Sequence, residues 1–176
     1  MPSRKKAVKT HSMFGEHHSS VLELVEPFGL RMTFYPFDTD EGTIQSKSTN
    51  VMGDFVCNNK SCKSKGWFSR MVAITIRLYP DKRYNARVYH QRCKKCNSLS
   101  RPMLDGSYAD RVAYRLKKWN GIKVEKPVYE KKSKEPHKKG LCEGCKAGHC
   151  QQSNMGDGSY TKLVQRKGAK NKNKLY

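Results

Sequence analysis

The sequence predicts an α+β fold in which a small antiparallel sheet is flanked by one or two helices. Three observations support this prediction: two adjacent β-rich segments separated by a turn, one amphipathic helical segment after them, and cysteines grouped near the ends of the predicted strands. The apolar fraction of 36% is low for a globular domain, so the core is expected to be small. Small cores usually need disulfides or bound metal for stability.

The N-terminal region begins with a basic arm, residues 1–10, which contains no acidic residue and is predicted to be disordered. A short helix is predicted over Ser12–Val25 and a strand over Arg31–Phe37, whereas residues 38–50 are polar and are predicted to form a loop. The apolar residues expected to share one face of the helix are Phe14, Val21, Leu22 and Val25.

The segments Gly66–Tyr79 and Arg83–Cys93 are rich in β-branched and aromatic residues and are separated by Pro80-Asp81-Lys82, a turn signal. They predict a long antiparallel hairpin, preceded by a short strand over Val51–Cys57. One face of the first hairpin strand is uniformly apolar and is expected to contact the core: Val72, Ile74, Ile76 and Leu78.

The clearest helix prediction covers Ser107–Trp119. Ser107 and Asp110 have the spacing of a capping box, and Gly121 suits the position that ends a helix. Residues 122–139 mix Lys, Glu and Pro and are predicted to form a linker. The apolar stripe consists of Tyr108, Val112, Leu116 and Trp119.

These patterns divide the chain into a basic arm with a short helix at 1–29, a central domain at 30–150 and a disordered basic tail at 151–176. The formal net charge of +21 predicts attraction to polyanions, the alternative being a solvated surface with a basic targeting tail. No secretory signal is recognisable and no apolar run could span a membrane. We therefore expect a reducing location, cytoplasmic and/or nuclear.

The cysteines form three clusters. Their number, seven, is odd, so complete disulfide pairing is impossible, and in a reducing compartment clustered thiols indicate metal. The spacing is Cys57-x4-Cys62, then Cys93-x2-Cys96, then Cys142-x2-Cys145-x4-Cys150, with His137 shortly before the last cluster.

Eight candidate ligands divide into two tetrahedral sets. The predicted hairpin brings the pair Cys57 and Cys62 to the pair Cys93 and Cys96, a zinc-ribbon-like arrangement. The second set is His137, Cys142, Cys145 and Cys150, with His149 as the rival nitrogen ligand. An exchange of one pair between the sets stays open, and iron is the alternative to zinc. Because the protein supplies every ligand, both sites are predicted to be structural, which makes two bound Zn²⁺ the expected cofactor.

Four stretches carry a resemblance when taken together: Val51–Cys57, Gly66-Trp67, Arg83–Cys96 and Cys142–Cys150. They resemble the 3CxxC-type zinc finger family, which includes the vertebrate receptor-transporting proteins and the zygote arrest proteins, and the likeness is greatest to small fungal members. The resemblance covers roughly residues 30–150 and implies zinc on the same eight residues, and RNA binding as in the zygote arrest proteins. Two features differ: four residues separate Cys57 from Cys62, and no C-terminal transmembrane segment is seen, so a membrane-trafficking role transfers poorly.

A basic surface is the candidate nucleic-acid site. Residues 63–120 hold 15 Lys and Arg against three Asp. The candidate contacts are Arg87, Tyr89, Arg92, Lys94 and Lys95; the face with Arg87, Tyr89 and Gln91 combines a cation, an aromatic ring and an amide, which suits an unpaired base and a phosphate. The alternative is that Tyr89 packs on the sheet and the cations are solvated. Both tryptophans, Trp67 and Trp119, are expected in the core.

The sequence therefore predicts a zinc-stabilised module that binds RNA. The alternative is a protein adaptor or chaperone-like factor that assists the maturation or trafficking of another protein, and the basic helix face with Arg111, Arg115 and Lys118 would also suit an anionic membrane or an acidic protein. No nucleophile–base arrangement, phosphate-binding loop or HExxH motif is present, so neither an enzyme nor a small-molecule substrate is expected.

Overall fold

A central antiparallel sheet organises the computed structural model, which describes residues 8–130 and 135–152. The elements are β1 (His11–Met13), α1 (His18–Val25), β2 (Thr33–Phe34), β3 (Gln45–Phe55), β4 (Trp67–Tyr79), β5 (Arg83–Tyr89), β6 (Gln91–Arg92), β7 (Leu99–Ser100), β8 (Met103–Leu104), α2 (Ser107–Trp119) and α3 (Glu143–Lys146). Two short strands, β6 and β7, form a separate ribbon, and β2 is the parallel member of the main sheet, beside β5. The strand order is β1-β5-β4-β3-β8.

The predicted hairpin is confirmed as β4 and β5, which pair antiparallel from Ile74 opposite Val88 to Tyr79 opposite Arg83. The turn places Asp81 at φ 60° and Lys82 at φ 55°. Two consecutive positive φ values match the twist of a two-residue hairpin turn. The second predicted strand is interrupted at His90, whose N–H donates to Thr10 O and whose carbonyl accepts from Glu143 N. Gln91–Arg92 then continues it as β6, which pairs with β7 instead of β4.

Strand β3 begins at Gln45, so the expected loop at 38–50 is wrong in its second half. Polar side chains are tolerated there because β3 pairs along almost the whole of β4, from Gln45 opposite Leu78 onward. The side chains of Ser48 and Asn50 also find hydrogen-bond partners across the sheet face. Pairing with a long partner strand therefore outweighs the low β-propensity of this segment.

The expected core face is confirmed. Val72, Ile74 and Ile76 are fully buried in the main core with α1 and α2, and Leu78 is partly buried. The stripe on α2 is confirmed too, with Trp119 at its half-buried end. Gly121, at φ 77°, ends α2, and Ile122 N and Gly121 N donate back to the carbonyls of Lys117 and Lys118.

The capping box expected at the start of α2 is not formed. Gly106 is the N-cap residue and makes no side-chain cap bond. Ser107 Oγ instead accepts a hydrogen bond from Met52 N at 2.8 Å, and Asp105 Oδ1 accepts from Ser107 N at 2.9 Å. The serine hydroxyl therefore joins α2 to β3, a long-range contact that local spacing does not reveal.

The helix expected over Ser12–Val25 is shorter than predicted. Residues 11–13 form β1, because the edge of β5 offers free backbone groups and Met13 pairs opposite Arg87. Helix α1 then runs from His18 to Val25 and buries Val21 and Val25 completely. Residues 11–28 thus pack on the same core as the strands, while the expected division at residues 29/30 stays a prediction.

The other face of the sheet is buried as well. Ala73 and Tyr89 pack with Cys142 and Cys150 beneath α3. Further along this face Arg77 is fully buried and donates to Asp38, Asp40 and Asn85. Arg77, one of the 15 Lys and Arg residues counted for the basic surface, is therefore not part of that surface, since carboxylates satisfy it inside the protein.

The predictions of disorder for the basic arm and for the C-terminal tail fall mostly outside the described ranges, at residues 1–7 and 153–176. The described part of the predicted linker, residues 122–130 and 135–139, contains no strand, and its only helical residue is Lys139, which begins a 3-10 helix (Lys139–Leu141). Among the residues that the structure describes, no helix has the length and apolarity needed to cross a membrane.

Candidate metal centres

The first centre lies at the end of the sheet where β3 stops, β4 starts and the hairpin returns. Cys57 and Cys62 lie between β3 and β4, and Cys93 and Cys96 lie between β6 and β7. The Sγ atoms are 3.4 Å apart for Cys57 and Cys96 and 3.9 Å apart for Cys62 and Cys93. Thiolates around one tetrahedral zinc ion are about 3.8 Å apart, given a Zn–S bond near 2.3 Å. The four sulfurs therefore fit one ion.

Two tight turns present these thiols. In the first, Cys62 N donates to Asn59 O at 2.9 Å and Ser61 N donates to the Asn59 side chain at 3.0 Å. In the second, Asn97 takes φ 60° and its N–H donates to Cys93 O at 2.8 Å. Asparagine tolerates both arrangements better than most residues. The longer first spacing is thus accommodated by a turn built around Asn59.

The second centre lies on the sheet face opposite α1 and α2. His137 Nε2 is 3.3 Å from Cys145 Sγ and 3.7 Å from Cys150 Sγ. Cys142 is the N-cap of α3, and its Sγ accepts a hydrogen bond from Cys145 N. In each centre the four donor atoms lie within 4.8 Å of one another. This centre is more buried than the first: two of its four ligand residues, Cys142 and Cys150, are 1% exposed, whereas only Cys93 is buried in the first.

The two histidine candidates have different roles. His137 belongs to the second group, whereas His149 Nδ1 lies 2.9 Å from Ser48 Oγ and its ring stacks on Tyr89 at a centroid distance of 5.4 Å. The exchange of a pair between the centres, left open by spacing, does not occur in the structure. The segment around the second centre is therefore held to the sheet by His149 as well as by its cysteines.

Within each group some thiols have a lowered pKa and others a raised one. Hydrogen bonds from the side chain and backbone of Ser98 lower the pKa of Cys96 to about 6. The pKa of Cys150 is lowered to about 3, chiefly because the Cys142 thiol donates a hydrogen bond to it. Hydrogen bonds from His137 and Asn50 lower it further. Hydrogen bonding to Cys150 and burial raise the pKa of Cys142. Each group thus offers at least one thiol that readily becomes a thiolate, the form that binds metal.

The donor sets fit zinc. Four thiolates, or three thiolates and an imidazole, are the usual ligands of structural zinc and leave no open position for water. The ions supply cross-links between distant segments of a small core. The domain therefore has two zinc sites, one at the end of the sheet and one on its face.

Sequence reasoning missed the residues that support these ligands. The Asn50 amide donates to Cys150 Sγ at 3.4 Å, and its Oδ1 accepts from Gln151 N at 3.1 Å. Ser48 bridges Thr75 and His149. Asn50 and Ser48 both lie in the segment expected to be a loop. They are about 100 residues from Cys150 and His149 in the chain, so no local sequence pattern could indicate these contacts.

The candidate nucleic-acid residues divide into two classes. Tyr89 is 3% exposed and covered by His149, and Gln91 is buried, so the expectation that these side chains form an open stacking face is wrong. Arg87 is paired with Asp38 at 2.8 Å, and the partly buried Arg92 with Glu143 at 2.6 Å. Lys94 and Lys95 are exposed. The face is covered because the second centre folds over it.

Comparison with known proteins supports the metal assignment. The 3CxxC zinc-ribbon family, described as a zinc-binding domain, matches residues 50–148, more than half of the chain. No curated protein and no solved structure matches the chain. The matched segment contains both groups of ligand residues, apart from Cys150 just beyond its end. The chain belongs to the 3CxxC zinc-ribbon family of zinc-binding domains.

Proposed function

We propose that this zinc-binding domain is an RNA-binding module whose basic surface surrounds the first metal centre. In this assignment Cys57, Cys62, Cys93 and Cys96 bind the first zinc ion, and His137, Cys142, Cys145 and Cys150 the second. One observation carries the proposal: five exposed lysines lie on the two turns of the first centre. We call them the knuckle lysines: Lys60, Lys63, Lys65, Lys94 and Lys95.

The knuckle lysines form a positively charged patch with few carboxylates nearby to neutralise it. Residues 55–80 and 82–104 contain no Asp or Glu. Lys94 makes an exposed ion pair with Glu135, and such pairs contribute little and are readily exchanged. Phosphate groups can therefore replace solvent counterions on this surface, which is the main source of affinity for nucleic acids.

Zinc contributes to this function by fixing the turns. The knuckle lysines lie within three residues of a candidate ligand, so metal binding limits where their backbones can lie. A rigid presentation lowers the entropic cost of binding a polyanion. With every zinc ligand supplied by protein, the centres favour a binding role over catalysis. The proposed location is cytoplasmic or nuclear, where RNA is available.

Binding of a fluorescent single-stranded RNA at several salt concentrations tests the proposal. The double variant Lys94→Gln/Lys95→Gln should bind more weakly, and the log–log salt dependence should fall by roughly 0.7 for each phosphate that the variant no longer neutralises. The control is Lys118→Gln/Lys123→Gln, which removes the same charge from exposed positions elsewhere. Equal affinity of both variants and the unmodified protein, with two zinc ions retained, would discard the knuckle lysines as the site.

A protein adaptor is the second candidate function. Phe37 and Ile44 are 63% and 57% exposed on the segment that leads into β3, and exposed apolar side chains are candidate contacts for a protein partner. Affinity capture from nuclease-treated cells discriminates between the two functions. Partners that persist after nuclease treatment and disappear with Phe37→Ser/Ile44→Ser favour the adaptor, whereas release of the captured material on nuclease treatment favours RNA.

A further inference from the structure

A cleft of about 940 Å³ lies between the two metal centres. Its walls come from residues 50–52 of β3, residues 67–71 of β4, the loop after Cys62 and residues 135–138. His137 lines it directly, and Ser64 approaches it from the first centre. The volume falls within the range of about 300–1,000 Å³ that small-ligand sites occupy. None of the candidate nucleic-acid residues except Arg92 and Lys94 lines it.

The cleft is strongly cationic. Glu135 is the carboxylate among its described lining residues, and it pairs with Lys94 and Lys138. The low-dielectric walls of a concave site concentrate such a field, so the cleft attracts anions. The lining cations are Arg70, Arg92, Lys94, Arg111 and Lys138.

Arg111 is the cation best suited to a ligand. It extends from α2 with its guanidinium 5.1 Å from the centre of the Tyr129 ring. Its Nε and Nη1 are buried and have no hydrogen-bond partner among the described residues. A buried donor without an acceptor is costly, and the cation–π contact offsets part of that cost. Phosphate oxygens are the acceptors that a guanidinium binds best.

Aromatic rings line the same cleft. Trp67 is held in place by its indole N–H, which donates to Gln91 Oε1 at 3.2 Å, and by parallel stacking on Phe55 at 4.9 Å. The Tyr129 hydroxyl donates to Ser107 O at 3.4 Å. Fixed rings beside cations in a concave site are suited to a base with its phosphate. A base that is paired and stacked inside a duplex has no free face for such rings.

We propose that this cleft takes one unstacked nucleotide of a single-stranded RNA, with Arg111 on its phosphate and Tyr129 against its base. The inference rests on the RNA-binding function proposed above and names the place where single strands are distinguished from duplexes. The knuckle lysines, with Lys94 at the rim of the cleft, hold the flanking phosphates.

The test uses the full zinc-loaded chain and three fluorescent probes: dodecameric oligouridylate, dodecameric oligothymidylate and an RNA duplex of the same length. Arg111→Met and Tyr129→Leu should each weaken oligouridylate binding roughly tenfold, comparable to the removal of one stacked base, and should leave duplex binding unchanged. Arg115→Met is the matched control, because it makes the same change on the same helix where the guanidinium contacts Tyr114 and Trp119.

Zinc content and thermal unfolding identify variants that fail to fold. Arg111→Met should melt no lower than the unmodified chain, because it removes a buried guanidinium that lacks acceptors. Equal affinity for oligothymidylate would support a nucleotide cleft and overturn its selectivity for RNA.

The remaining outcomes separate this inference from the proposed function. Unchanged oligouridylate binding by both cleft variants, with weaker binding by Lys94→Gln/Lys95→Gln, overturns the cleft assignment and leaves RNA binding intact. An equal decrease for the duplex also overturns it, since the effect would then be general electrostatics. If the unmodified chain binds none of the three probes, the proposed function fails and this inference with it.

Discussion

Gly144 allows α3 to lie directly on the sheet. A Cβ built at this position would lie 2.3 Å from Ala73 Cβ and 3.3 Å from Tyr89 Cβ. We expect Gly144→Ala to lower the free energy of unfolding by about 1–3 kcal/mol, the usual cost of overpacking. Thermal unfolding of the zinc-loaded protein measures it. Gly140→Ala is the control, because nothing lies within 4 Å of its Cβ position; equal melting temperatures for the two variants would contradict this account of α3.

Asn50 supports a ligand without being one. Its amide donates to Cys150 Sγ, and ligands deprived of such support commonly bind metal 10- to 100-fold more weakly. We expect Asn50→Ala to weaken zinc binding at the second centre by roughly that factor, as measured by competition with a chelator. Asn58→Ala removes an exposed amide that bonds Leu99 O beside the first centre, and it should leave the second centre unchanged. Identical competition curves for both variants would exclude a special role for Asn50.

At the scale of elements, the β4–β5 turn has a residue that fits it poorly. Lys82 takes φ 55°, a left-handed conformation that costs a side chain with a Cβ about 1–2 kcal/mol. Glycine avoids this cost but gains freedom in the unfolded chain, so Lys82→Gly should raise the free energy of unfolding by about 0.5–1 kcal/mol. Denaturant unfolding tests this. Lys123→Gly, at a position without positive φ, should give no gain, and a gain of the same size there would refute the turn explanation.

At the scale of the whole molecule, the two centres differ in how much structure depends on each. The first joins exposed turns at one end of the sheet, while the second holds residues 137–150 against a sheet face that would otherwise be open. We expect Cys96→Ser and Cys150→Ser each to reduce the bound zinc from two ions to one, as counted by native mass spectrometry. The melting temperature should fall further for Cys150→Ser, because that variant also exposes Ala73 and Tyr89 to water.

Exhaustive chelation should remove both ions and unfold the chain, since metal binding supplies folding free energy to a domain with a small core. Circular dichroism before and after chelation, with zinc returned as the control for reversibility, measures this. An unchanged spectrum after complete metal removal would contradict the structural role of both centres.

Local patterns in the sequence were sufficient for the hairpin, the main helix, the apolar sheet face and the clusters of candidate metal ligands, but not for which clusters meet or for the choice between His137 and His149. These features depend on spacing between neighbouring residues, which chain geometry alone constrains. Tyr108, Val112 and Leu116 fall on one helix face wherever the helix lies, and paired cysteines reach one ion from any tight turn.

Tertiary structure decided what depends on segments far apart in the chain. Residues 45–50 became a strand because β4 is long enough to pair with them, and residues 11–13 did so because β5 has an open edge. The second centre then covered Tyr89, and α2 brought Arg111 to a cleft between the two metals. Burial depends on what packs against a side chain, and that partner is not encoded by the residues next to it.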